Sequence, residues 1–66
     1  MGDVRVRASE WILAIVTTDP DYRATGAPVF YARDRDDLER IVLYLSRVTL
    51  GSAHEIQPGT LVIMRH

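Results

Sequence analysis

Apolar and polar residues first alternate and then form an unbroken apolar run near the start of the chain. From residue 4 to residue 9, valine and alanine alternate with arginine and serine, which is the period of a half-buried strand. Residues 11–16 (WILAIV) are all apolar, and their β-branched members favour a strand over the alternative, a helix capped by Ser9 and ended by Pro20. We therefore predict a first strand over residues 3–18.

The phase of this strand predicts an irregularity. In a regular strand Glu10 would share a face with Val4, Ile12 and Val16, which would bury a carboxylate. A bulge near Ser9 and Glu10 would shift the register by one residue. It would place Val4, Val6, Ala8, Trp11, Leu13 and Ile15 on one face and Ile12, Ala14 and Val16 on the other.

The rest of the chain divides into a loop, a strand, a helix and a last strand. Pro, Gly and Asp predict a loop over residues 19–28, and residues 29–33 (VFYAR) predict the second strand. Residues 34–51 predict a helix, N-capped by Asp34 or Asp36 and followed by Gly51 in the left-handed conformation. Its apolar stripe is formed by Leu38, Ile41, Val42, Leu45 and Val48. Residues 52–59 predict a return that contains a Pro-Gly turn, and residues 60–66 the third strand.

These elements predict a single α+β domain over residues 1–66 in the order β-β-α-β. The helix makes a crossover between the second and third strands, so we expect those two strands to be parallel. The first strand is expected between them and antiparallel to both, which gives a three-stranded mixed sheet of order 2-1-3 with one helix packed on one face. This architecture resembles half of a ferredoxin-type split β-α-β arrangement.

The apolar run raises the question of what covers the second face of the sheet. One helix covers one face, whereas the first and third strands are apolar on both. We therefore expect a homodimer, or docking on a larger protein subunit, through the second face or through exposed strand edges. The expected interface consists of Ile12, Ala14, Val16, Val62 and Met64. In the alternative, the chain is a monomer whose long loop covers this face.

Composition narrows the classes of function. The 66 residues include no cysteine, which excludes disulfides and thiolate metal sites, and no run long enough to span a membrane. The formal net charge is −1, so no overall attraction to nucleic acid or membrane is expected. We expect a cytoplasmic protein. All eight basic residues are arginine, and because they are scattered we attribute this to base composition rather than to phosphate binding.

Few residues predict chemistry. His54 and His66 lack the spacing of metal ligands, even with Glu55, and the acidic run at residues 34–37 fits helix capping, so we expect no metal, no cofactor and no catalytic residue. Two sets of residues predict contacts instead. A nucleic-acid surface would use Arg5, Arg7, Trp11, Tyr31 and Arg33. A loop contact would use Tyr22 and Arg23.

The sequence therefore predicts a small non-enzymatic interaction or accessory module that self-associates through its sheet. A nucleic-acid-binding module that uses the arginine and aromatic surface is the first alternative. The second is a small enzyme subunit with its site at a dimer seam, near the 19–28 loop and His54.

Overall fold

The computed structural model describes residues 11–65, which form four strands and one helix. The elements are β1 (Ile12–Thr17), β2 (Val29–Tyr31), α1 (Arg35–Thr49), β3 (Ser52–Gln57) and β4 (Thr60–Met64). The predicted α+β class is confirmed, but the sheet has four strands rather than three. No helix of the described part of the chain is long and apolar enough to cross a membrane.

Strand β1 lies inside a mixed sheet of order β2-β1-β4-β3. Its predicted neighbours are correct, and β4 is antiparallel to it as expected. Strand β2 is parallel to β1, so the predicted antiparallel direction is wrong. Parallel neighbours need a connection that crosses back along the sheet, whereas antiparallel neighbours need only a tight turn. The length of the loop at residues 18–28 is explained by this crossing.

Strand β3 lies in residues 52–59, for which the sequence predicts only a connecting segment with a turn. It pairs with β4 in a hairpin whose turn is Pro58-Gly59, with Gly59 at a φ of 82°. Five of its six residues are exposed, from Ala53 to Gln57. An edge strand open to solvent on one side needs no apolar pattern, so periodicity could not reveal it.

The helical crossover joins β2 to β3, not to the last strand. Because β3 and β1 are both antiparallel to β4, β3 runs parallel to β1 and β2. The last strand, β4, is therefore antiparallel to β2, and the prediction that those two strands are parallel is wrong. The rule that a helical crossover joins parallel strands still holds, with β3 as the second strand.

Helix α1 begins and ends close to its predicted limits. Asp34 is the N-cap, and its Oδ1 accepts a hydrogen bond of 2.8 Å from the backbone N–H of Asp37. At the other end Leu50, not Gly51, takes the left-handed conformation, with a φ of 58°. Gly51 is required for a different reason: a Cβ there would lie 2.7 Å from the carbonyl oxygen of Met64.

The main core lies between α1 and one face of the sheet. Val16 of β1, Ala32 and Leu38 form its buried centre. Half-buried apolar side chains pack around that centre, namely Ile41, Val42, Leu45 and Leu61. Val48, predicted to complete the helical stripe, is 62% exposed.

The second face of the sheet is closed within the chain at its centre. Ile15 and Val62, which are partners across β1 and β4, are both buried. Beside them Thr17 and Thr60 are fully buried, and their hydroxyl groups share a hydrogen bond of 2.7 Å. The 18–28 loop lies against the β2 edge of this face. The face that was expected to be open is therefore buried at its centre, where it contains a hydrogen-bonded polar pair.

The predicted division of β1 between the two faces is partly wrong. Val16 packs against the helix, and Ala14 shares its face, while Ile15 lies on the second face. The register shifts between Ile12 and Ala14, so Ile12 pairs with Met64 and joins the second face. The bulge expected near Ser9 and Glu10 lies outside the described residues.

Removing one hydroxyl of the buried threonine pair is predicted to destabilise the fold. Thr60→Val leaves the Thr17 hydroxyl without this partner and should lower the free energy of unfolding by about 1–3 kcal/mol. The double variant Thr17→Val/Thr60→Val should cost less than the sum of the two single variants, because no hydroxyl remains to satisfy. Urea unfolding measures both, with the exposed Thr25→Val as control. Additive losses would contradict a coupled pair.

Substitutions at two neighbouring residues after α1 are predicted to change the free energy of unfolding in opposite directions. Leu50→Gly should raise the free energy of unfolding by roughly 1 kcal/mol, because it relieves a non-glycine residue in the left-handed region. Gly51→Ala should lower it by about 1–3 kcal/mol, because the new Cβ meets backbone. Thermal unfolding measures both changes. A lower melting temperature for Leu50→Gly would show that its side chain contributes more than the strain costs.

Candidate functional site

The domain exposes large apolar side chains although its core is closed. Those at least 40% exposed are Trp11, Phe30, Tyr31, Leu43, Tyr44, Val48, Leu50 and Ile56. Half of them lie in the second half of α1 or directly after it, from residue 43 to residue 50. Apolar side chains clustered on a protein surface are typical of protein-protein contacts. The outer surface of this half-helix is therefore the candidate functional site.

Two polar contacts show which side of α1 faces which edge of the sheet. Arg35 donates to Glu55 of β3 over 3.0 Å, so its side of the helix faces β3. Asp37 accepts a hydrogen bond of 3.0 Å from the backbone N–H of Arg33, just after β2. At about 100° per residue, Tyr44 and Val48 lie on the same side of the helix as Asp37. We call the row Ile41, Tyr44 and Val48 the β2 flank.

The β2 flank is exposed because the sheet is narrow beside it. Strand β2 has only three residues and begins with Val29, opposite Ile15 in the middle of β1. Its Phe30 pairs with Val16, so it lies on the helix side of the sheet, and it is 40% exposed. Among the described strands none extends β2 beside the first half of β1. An apolar helix row and an exposed aromatic ring therefore lie on the same side of the domain.

The carboxylate of Asp37 fastens the first turn of α1 to the end of β2. It is buried, and it accepts from the backbone of Arg33 and from the guanidinium of Arg40. The Arg33 guanidinium lies 3.5 Å away. The hydrogen bond from the Arg33 backbone, followed by that from Arg40, holds the pKa of Asp37 below its ordinary value, although burial acts in the opposite direction.

A second ion pair joins α1 to the β3-β4 hairpin. Glu55 accepts from Arg35 and, over 3.1 Å, from the backbone N–H of Gly59 in the turn. These two hydrogen bonds, with that from Arg35 first, lower the pKa of Glu55. Arg35 also pairs with Glu39 one helical turn further on. Glu55, considered above as a metal ligand beside His54, is therefore engaged in an ion pair.

The predicted loop contact residues bind within their own loop. One Nη of Arg23 donates to the carbonyl oxygens of Pro20 and Tyr22 and to the hydroxyl of Tyr31, at 2.7–3.0 Å. The Tyr31 hydroxyl donates to the Tyr22 carbonyl over 2.6 Å, and the Arg23 guanidinium lies 5.7 Å from the Tyr31 ring. Tyr22 and Arg23 thus fix the 18–28 loop against β2. Their role in binding a partner stays a prediction.

The structure does not bring the predicted interface residues onto one surface. Ala14 and Val16 are buried on the helix side, whereas Val62 is buried on the second face. Ile12 and Met64 are partners across β1 and β4 and are only half-buried. The assignment of these residues to one common face of the sheet is therefore wrong. Three of the five are already buried within their own chain.

The predicted nucleic-acid residues are also dispersed. Arg5 and Arg7 lie outside the described residues. Trp11 precedes the start of β1 and Tyr31 pairs with Thr17 at its end, which separates them by about 20 Å along the sheet. Arg33 lies at the β2-α1 junction beside Asp37. The described members of this set do not form one continuous platform.

The candidate chemical residues do not form a site within residues 11–65. His54 is exposed on β3, at the opposite edge of the sheet from β2, against which the 18–28 loop is fixed. His66 lies outside the described residues. Asp34 caps the helix and Asp37 is ion-paired, and no group of three potential ligands in this part of the chain could hold a metal.

Sequence reasoning missed the exposed helix residues, although a signal was available. Leu43 and Tyr44 are apolar or aromatic but fall outside the stripe that faces the core. A helix that needs only one apolar face has no structural use for such residues. Apolar residues outside the stripe therefore indicate a second contact surface.

The described residues form a small α+β domain that exposes apolar side chains on its helix. Residues 9–66 match the family model described as "Capping complex subunit for YIEGIA", and the chain belongs to this family. It is also 34% identical over 55 residues to the uncharacterized protein YpzH of Bacillus subtilis (strain 168). That alignment covers 83% of this chain and 86% of YpzH. No solved structure matches. The cytoplasmic location stays a prediction.

The ion pairs of Asp37 predict a pH dependence of stability. Because the folded-state pKa of Asp37 lies below its unfolded value of about 4, the stabilisation is present above that value and is lost as the pH falls through the folded pKa. Asp37→Asn should therefore be less stable than the wild type at neutral pH, and the difference should shrink in acid. Unfolding in urea at a series of pH values measures this.

The matched control for this prediction is Asp36→Asn, in the same turn of α1 but exposed. It should cost less stability than Asp37→Asn at neutral pH, because it removes no contact with Arg33 or Arg40. A difference between Asp37→Asn and the wild type that stays constant from neutral pH into acid would contradict the electrostatic role of Asp37.

Proposed function

We propose that the chain is a non-enzymatic subunit that docks on a larger protein, and that this larger protein is the YIEGIA named in the family description. The observation that carries this proposal is the cluster of exposed apolar side chains on α1 of a domain whose core is already closed. Such side chains cost solubility in an isolated domain and are retained where a partner covers them. Membership in a family of complex subunits supports the same function.

The shape of the surface supports docking rather than catalysis. Over residues 11–65 we find no cavity that would enclose a small ligand. Catalytic sites need a concave place in which water is excluded and groups converge. The polar clusters around Asp37 and Glu55 are instead paired within the chain and join α1 to the strands. Their positions suit a rigid scaffold for an interface.

Self-association through the sheet is a second candidate, and the observation that favours it is strand β3. This edge strand of six residues is exposed from Ala53 to Gln57. An exposed edge presents unpaired backbone groups to which a second strand can add. A second copy could therefore extend the sheet at β3 and leave the exposed surface of α1 free for the larger protein.

Co-expression with the YIEGIA protein of the same organism tests both candidates. We expect the tagged chain to co-purify with that protein, while the same tag on an unrelated small domain does not. The native mass of the isolated complex gives the number of copies of each. A tagged chain that purifies alone, at the mass of one chain, would contradict the proposed function. A homo-oligomer without the second protein would leave only self-association.

A further inference from the structure

The β2 flank has the spacing of a helix-packing seam. Ile41, Tyr44 and Val48 are separated by three and then four residues, the spacing by which one helix presents apolar side chains to another. Ile41 is half-buried against the core, while Tyr44 is 67% and Val48 62% exposed. The seam therefore begins in the domain's own core and continues onto its surface.

Charge complementarity indicates what would cover this seam. From residue 40 to residue 54 the chain contains Arg40 and Arg47 but no aspartate or glutamate. Both arginines are exposed. Measured around the helix axis from Leu38, which faces the core, Val48 and Tyr44 are rotated by about 80° and 120°. Arg40 and Arg47 are rotated by about 160° and 180°. The two arginines therefore border the exposed part of the seam on its solvent side. Arg47 forms no ion pair with any residue that the structure describes. Arg40 is already paired with Asp37, so Arg47 supplies the bordering cation that is available to a partner carboxylate.

We propose that the β2 flank binds an amphipathic helix of the partner protein, with its apolar stripe against Ile41, Tyr44 and Val48 and a carboxylate beside Arg47. The inference rests on the proposed function and assigns it a surface and a partner chemistry. Apolar side chains supply the contact area, and carboxylates at the border select the partner and its direction, as charged border positions do in paired helices. The exposed Phe30 extends the apolar surface beyond the helix.

The arrangement of charge favours a protein partner over a membrane surface. A helix that lies on a lipid surface keeps its basic residues on one face and a continuous apolar face on the other. On α1 the row of Arg40 and Arg47 lies between two apolar groups instead. Tyr44 and Val48 are on one side of it, and Leu43 and Leu50 on the other. Burying both apolar groups in lipid would also bury the arginines.

Alanine variants of the seam test the assignment. Tyr44→Ala/Val48→Ala should weaken binding to the co-expressed YIEGIA protein by about tenfold or more, the loss expected when an aromatic anchor is truncated. Both positions are exposed in a helix, where alanine is well tolerated, so far-UV circular dichroism and the melting temperature should stay near those of the wild type. The matched control is Ile56→Ala, 52% exposed on β3 at the other edge of the sheet, which should bind as the wild type does.

Charge variants test the partner chemistry. Arg47→Glu should weaken binding and reduce its dependence on salt, because it removes a cation that pairs with a partner carboxylate. Arg65→Glu, at an exposed position beyond the end of β4, is the control and should change neither. Binding that is insensitive both to salt and to Arg47→Glu would overturn the acidic partner.

The possible outcomes separate this inference from the proposed function. A wild-type chain that fails to bind the YIEGIA protein contradicts the proposed function and the inference with it. Wild-type binding that survives Tyr44→Ala/Val48→Ala, or that is lost equally in Ile56→Ala, overturns the inference alone. Binding to anionic phosphatidylglycerol vesicles that requires Tyr44 and Val48 would replace the partner helix by a membrane. A homodimer that those substitutions dissociate would replace it by a second copy.

Discussion

The fold depends on the need to enclose strand β1 on every side. Its backbone is paired on one edge with β2 and on the other with β4, and both of its faces are buried at Val16 and Thr17. A strand so enclosed cannot be an edge, and its side chains cannot alternate between water and core. The apolar run at residues 11–16 is unbroken because β1 is buried on both faces. The other elements are arranged to satisfy it.

The two faces of β1 differ in chemistry. Helix α1 covers Val16 with Leu38 and its neighbours, an apolar contact of the ordinary kind. On the other face the hydroxyls of Thr17 and Thr60 satisfy each other, and the 18–28 loop, fixed by Arg23, lies beside them against β2. A buried hydroxyl pair is directional, because it is stable only when the two strands are in one register. It therefore specifies the alignment of β1 with β4 in a way that aliphatic residues do not.

The sequence predicted those elements that have a clear apolar periodicity or a capping residue at their end. Helix α1 has both, in the stripe that begins with Leu38 and the cap at Asp34, and it is found where expected. Strand β3 has neither, because an exposed edge requires no apolar alternation, and it was missed. The direction of β2 depends on whether its connection crosses the sheet, which no local pattern encodes. The faces of β1 could not be assigned because the register shift beyond Ile12 is fixed by pairing with β4.

The candidate site follows from a mismatch between a long helix and a short strand. Fifteen residues of α1 extend over a sheet whose β2 edge offers only three, so part of one helix flank has no described strand beside it. A domain selected only for stability would place polar residues there, since their helix propensities are no worse than those of tyrosine and valine. Tyr44 and Val48 stand there instead, and on the other side of the arginine row Leu50 occupies a left-handed position that glycine would fill with less strain. Residues that lower the stability of the isolated domain are retained where binding requires them. The exposed end of α1 is for this reason better explained by a partner than by the fold of the single chain.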